Sequence, residues 1–161
     1  MKKLFLLSFL FTCGLGIMQT NIPFFEQIAF DFYRTEILVK NPVKKKISVY
    51  EEIQPFQLTE IPFWYPRCID QFEIKEHDNF KSNLSKKKVL NLENLDHSKF
   101  KIKEYGKGSF PKLFVSQSLL FNENRNLVVI QEIYKWSATY YYIELDNHGK
   151  IIDWCSGGYI E

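Results

Sequence analysis

The chain has 161 residues, 21 Lys+Arg against 19 Asp+Glu, 45% hydrophobic and 17% aromatic residues, and three cysteines. That length and apolar content suit one domain with a real core and exclude a disordered or low-complexity chain. Setting aside Lys2 and Lys3 of the N-terminal segment leaves 19 basic against 19 acidic residues, which excludes a global attraction to nucleic acid or to anionic membranes as the basis of function.

Met1 to Thr20 reads MKKLFLLSFLFTCGLGIMQT. Two lysines, an unbroken apolar run from Leu4 to Phe11 and then small residues are the layout of a secretory signal, and the run is too short to span a bilayer. Residues 1–18 are therefore assigned to a signal peptide, with cleavage between 14 and 20, and 19–161 to a single domain working in the periplasm or outside the cell. The alternative is that Leu10-Phe11-Thr12-Cys13 is a lipobox with Cys13 acylated. A membrane anchor is expected only in that case.

With Cys13 removed or acylated, Cys68 and Cys155 remain as an even pair in an oxidising compartment, and a disulfide between them is the default expectation. Two buried free thiols are the competing reading. Asp70 and Asp153, each two residues from a cysteine, would raise a nearby thiol's pKa, which speaks against thiol catalysis.

Asn21 can cap a helix, Pro23 fits its first turn, and Phe25, Ile28, Ala29 and Phe32 recur at helical spacing, so the pattern predicts a helix from Ile22 to Val39, ending before Asn41-Pro42. From Lys46 the period becomes two, and Ile47 to Ile53 reads as a strand stopped by Pro55. Ile69 to Glu76 and Lys99 to Tyr105 are further strands. Between prolines, Ile61 to Pro66 forms an aromatic loop holding Trp64 and Tyr65. Asp78 to Leu95 carries no regular pattern, and the runs Lys44–Lys46 and Lys86–Lys88 read as solvated ends of elements.

The most legible stretch is the last. Leu127 to Trp136, Ala138 to Leu145 and Lys150 to Cys155 are apolar, β-branched or aromatic runs separated by polar turns, as consecutive antiparallel strands are written. Asp146-Asn147-His148-Gly149 suits a three-residue hairpin loop with Gly149 in the left-handed region. Counting outward, Leu145 should face Ile151, Ile143 should face Asp153 and Tyr142 should face Trp154. Tyr141, Ile143, Leu145, Ile151 and Cys155 then form a core face, and Tyr140, Tyr142 and Trp154 an aromatic face. The fold class that follows is α+β: an N-terminal helix packed on a mostly antiparallel sheet ending in a C-terminal β-meander.

No phosphate loop, nucleophile elbow, zinc-protease motif or Cys-x-x-Cys is present. His77-Asp78 and Asp96-His97 would make an acid/base or metal cluster only if their loops met, and Glu132 and Glu144 would make a carboxylate pair only if they shared a face. No metal and no cofactor is expected. Two functional readings stand. One is a non-enzymatic binding module, inhibitor-like or immunity-like, that takes a protein, glycan or small ligand on Trp64, Tyr65, Trp136, Tyr140, Tyr142 and Trp154, since aromatics combine contact area with a polar edge. The other is an exported hydrolase with a dispersed His/Asp/Glu site.

The run Ser116 to Ile130, then Tyr140-Tyr141-Tyr142 and Gly149 to Trp154, resembles the closing third of small exported proteins from Bacteroidetes-type bacteria. Those proteins place a Ser-x-x-x-Phe-Asn segment before an apolar strand and a final hairpin. Here Tyr134-Lys135-Trp136-Ser137 replaces the Cys/Gly-rich turn of many relatives. The resemblance implies export and a C-terminal sheet, and it transfers no catalytic residue.

Overall fold

The structure, a computed structural model, describes residues 22–55, 68, 81–82, 89–121 and 124–160. The signal segment with Cys13, the loop carrying Trp64 and Tyr65, the expected strand at Ile69 to Glu76, and His77-Asp78 lie outside the described residues.

One helical stretch opens the fold. It comprises α1 (Phe25–Phe32), a π-helical turn (Tyr33–Ile37) and a short α2 (Leu38–Lys40). It starts three residues later than the spacing predicts, after Pro23, and buries Phe25, Ala29, Phe30, Tyr33, Ile37 and Leu38 in one stripe. The expected role as a cover is correct, because that stripe joins Val128, Ile130, Ile143 and Leu145 of the sheet in the main apolar cluster.

The strands are β1 (Ile47–Val49), β2 (Lys81–Ser82), β3 (Phe100–Ile102), β4 (Lys112–Val115), β5 (Leu119–Phe121), β6 (Arg125–Ile133), β7 (Ser137–Asp146) and β8 (Ile151–Ile160). They form one sheet in which β6 is central. β4 and β5 pair with successive halves of one edge of β6, β7 takes its other edge, and β8 pairs with β7, all antiparallel. The α+β class is therefore correct.

The antiparallel expectation fails at β1. This strand runs parallel to both β3 and β4, with Ile47 opposite Phe100 and Ser48 opposite Lys112. Direction is dictated only where a tight turn joins two strands. No such turn joins β1 to either neighbour, so its sequence carries no sign of its direction. β1 is also shorter than expected, continuing only as isolated bridges at Glu52 and Gln54.

Both faces of the sheet are covered. Opposite the helix, Cys68, Leu119, Leu127, Val129, Tyr142 and Cys155 form a second cluster, with Tyr140 against it. Cys68 and Cys155 are disulfide-bonded, their Cα atoms 5.6 Å apart, as expected for the pair that remains when Cys13 is set aside.

The terminal hairpin closes as its turn sequence predicts. Asp146 N–H donates to the Lys150 carbonyl at 3.0 Å, its Oδ1 accepts from the His148 and Lys150 amides, and Gly149 sits at φ +82°. Leu145 faces Ile151, again as expected. A bulge then intervenes, so that Glu144 faces Asp153, Ile143 faces Trp154 and Tyr142 faces Cys155. The extra residue is Ile152, which is exposed. The shift by one moves Trp154 to the helix side and Cys155 to the disulfide side, which corrects the face assignment of both.

Gly149→Val is expected to cost about 2 kcal/mol or more, because a β-branched residue resists the left-handed region. A Cβ there would also lie 2.6 Å from Ile28 Cδ1 of the helix. His148→Ala, at an exposed turn position, should change the denaturation midpoint little. Equal midpoints for the two variants would sink the turn assignment.

Candidate functional site

The residue that organises the site is Glu132. It sits near the end of β6, after the apolar run Leu127 to Ile130 and the half-buried Gln131, and it is 1% exposed. A carboxylate this deep is costly unless hydrogen-bonded. The fold supplies three donors, all tyrosine hydroxyls. Tyr33 reaches Oε2 from the π-helical turn at 3.1 Å, Tyr141 reaches the same oxygen from β7 at 3.2 Å, and Tyr134, two residues on along the same strand face, donates to Oε1. The Tyr33 and Tyr141 rings pack edge to face at 5.2 Å, which locks the donors in place. π-helical turns recur beside functional sites, and this one carries the innermost donor.

Burial first, and then the Glu132 charge and hydrogen bond, push the Tyr33, Tyr134 and Tyr141 hydroxyls above their ordinary pKa. A raised tyrosine pKa means that the folded state holds its phenolic protons more tightly than the unfolded chain, whose tyrosines titrate near pH ~10. Stability is therefore fully present below that pH and falls as pH rises through it. The urea midpoint should drop above pH ~10, and Tyr33→Phe should blunt the drop. A midpoint flat across that range would contradict the network.

Above this floor opens a cleft of about 800 Å³. One wall is the segment leaving the helix, Lys40 to Lys45; another is the β6–β7 turn, Tyr134 to Ser137; Phe110 and Pro111 at the entry to β4 form a third. Trp136 is 62% exposed and Phe110 43%. Lys40, Lys44, Lys45 and Lys135 stand around the opening, and Glu132 is the one acidic residue among the described lining residues. Lys40 pairs with Glu36 at 3.7 Å, while Lys44, Lys45 and Lys135 enter no ion pair among the described residues. The cleft thus combines cations at its mouth, apolar and aromatic walls, and hydrogen-bonding oxygens at its base.

No protein-family model, curated protein or solved structure matches the chain. The site accordingly stands on its own geometry.

Of the aromatic residues singled out from sequence, Trp136 is at the cleft. Tyr142 is buried in the disulfide-side cluster with Tyr140 against it, and Trp154 packs on the helix side, so the three do not share a face. Asp96 and His97 lie in the exposed turn before β3, where Asp96 accepts from the Ser98 amide and hydroxyl. His148 occupies the terminal hairpin turn. Among the described residues no three His, Cys, Asp or Glu side chains gather as metal ligands.

Glu132 and Glu144 point to opposite faces, because Glu132 is opposite Thr139 and Glu144 is opposite Leu127, an odd number of residues away along β6. Glu144 is neutralised by Arg125. The two carboxylates form no pair.

Sequence reasoning missed Tyr33, Tyr134 and Tyr141 as partners of Glu132, and Lys44 and Lys45 as part of the cleft. The available signal was Glu132 itself, an acid two residues beyond the apolar run Leu127 to Ile130 of the same strand.

Proposed function

We propose that this chain is an exported, non-enzymatic binding module that holds its ligand in the cleft above Glu132. The observation that carries the reading is the convergence, on one concave site of about 800 Å³, of an exposed tryptophan, three lysines (Lys44, Lys45 and Lys135) with no acidic partner among the described residues, and a carboxylate hydrogen-bonded by three phenols. That volume falls in the range of small-ligand sites. Binding is favoured over hydrolysis because Glu132 already accepts hydrogen bonds from three phenols, which leaves it poorly placed to take a proton from water, and no histidine is among the described lining residues. Of the aromatic residues first considered for binding, Trp136 is kept as the contact residue; Tyr140, Tyr142 and Trp154 are read as packing. The signal-like N-terminus and the disulfide both fit a life outside the cytoplasm.

Two measurements test this. Intact mass of the protein recovered outside the cytoplasm should show loss of the first 14 to 20 residues, and a mass that retains Met1 to Phe11 would defeat export by cleavage. Amide chemical-shift mapping with a mixed panel of glycans, peptides and small acids should place ligand-induced changes at Lys40 to Lys45 and Tyr134 to Ser137. Changes centred instead on Ile152 and Asp153 would move the site elsewhere.

A further inference from the structure

We propose that the ligand is an acidic carbohydrate, whose hydroxyls meet the tyrosine floor and whose carboxylate or sulfate groups meet the lysines at the mouth. This rests on the cleft being the binding site.

The argument begins with proton direction. A phenol has one proton to donate and lone pairs with which to accept. Tyr33, Tyr134 and Tyr141 all spend that proton on Glu132. Tyr33 is fully buried beneath the cleft, and what the oxygens of the lining residues Tyr134 and Tyr141 can still offer a ligand is acceptance alone. A group that meets the Tyr134 and Tyr141 oxygens must therefore be a donor, and the Glu132 charge behind the phenols disfavours an anion there.

The mouth has the opposite preference. Lys44 and Lys45 are exposed and enter no ion pair among the described residues, and Lys135 lies with its Nζ 4.8 Å from the centre of the Trp136 ring. Clustered cations around a concave site raise the local concentration of anions. A ligand suited to both ends carries donors inward and negative charge outward.

Two further features narrow the class. Glu132 is 1% exposed and Tyr141 8% exposed, while Tyr134 is half-buried, so Tyr134 is the residue of the floor that an incoming ligand meets first. Trp136 and Phe110, exposed and each with a lysine ammonium over the ring (Lys135 at 4.8 Å and Lys112 at 5.3 Å), are aromatic groups of the kind on which the C–H face of a sugar lies, with cations beside them for its acidic groups. A fatty acid would leave the floor oxygens without donors. Hydroxyl-rich, ring-shaped and acidic together describe a uronate-containing or sulfated sugar.

The test is calorimetric titration of the exported protein with trigalacturonate, its neutral methyl ester, a sulfated trisaccharide and a free amino acid. An acidic trisaccharide should bind about tenfold more tightly than the ester at low ionic strength. The gap should close as salt approaches about 0.5 M. Whether the uronate or the sulfated sugar binds better identifies the source of the charge. The double variant Lys44→Ala/Lys45→Ala should weaken binding about three- to tenfold with an unchanged melting temperature, and Tyr134→Phe, which removes a floor oxygen, should weaken uronate and ester alike.

Equal binding of acid and ester, or binding of the amino acid in their place, overturns the proposal. If neither acidic sugar binds while another member of the mixed panel perturbs the cleft amides, the ligand class is wrong and the cleft reading survives. If nothing in the panel perturbs those amides, both fall.

Discussion

Replacing Cys68 and Cys155 together by alanine should lower the unfolding free energy by about 4 to 5 kcal/mol, the figure that chain entropy gives for a loop of this size. The two cysteines are 87 residues apart in sequence, so the bridge removes a large set of open conformations from the unfolded chain. It also fills space: Cys68 is 3% exposed and Cys155 8%, among Leu119, Leu127, Val129 and Tyr142. The same loss should follow when the unmutated protein is unfolded in the presence of a strong reductant. Denaturant midpoints with and without reductant are the check, and identical midpoints would mean that the bridge contributes nothing.

Truncation of β7 should be almost as damaging, and on both faces. Ile143 is 0% exposed beneath the helix and Tyr142 is 3% exposed against the disulfide. Ile143→Ala should cost about 2 to 5 kcal/mol and Tyr142→Ala about 3 to 5 kcal/mol, the ranges for emptying a packed aliphatic and a packed aromatic site. From sequence alone, Tyr142 is the cheaper loss, because its face reads as an exposed binding surface. Urea unfolding of the two variants separates the views. A cost for Tyr142→Ala below about 1 kcal/mol would mean that the disulfide-side layer is not a packed core.

The parts of the fold that were legible are those governed by neighbours in the chain. β6, β7 and β8 announce themselves by apolar runs between polar turns, and Asp146 to Gly149 encodes its own loop through the Asp146 side chain and the φ of Gly149. The cysteine pair is legible from parity once Cys13 is set aside. What failed depends on distant partners. Nothing in Ile151-Ile152-Asp153 marks Ile152 as the bulged residue, yet that one residue decides which layer receives Trp154 and which receives Cys155. β7 is buried on both faces from Tyr141 to Leu145, so no alternation of polar and apolar residues could reveal its sidedness. The site was hidden for the same reason. Glu132 reads as surface decoration until Tyr33, 99 residues earlier, arrives from the helix to complete its hydrogen bonds.

A ribosome delivers this chain N-terminus first, and β1 leaves it well before the two strands that will flank it. Ile47 to Val49 can settle only after Phe100 to Ile102 and Lys112 to Val115 exist, and β4 in turn needs β6 beside it. Until then Phe25, Phe30 and Ile37 have no sheet to cover. Among the described residues, β1 and the apolar stripe of the helix thus both complete their contacts with strands that lie later in the sequence. Such an order favours slow folding, because distant segments must meet before any contact rewards them.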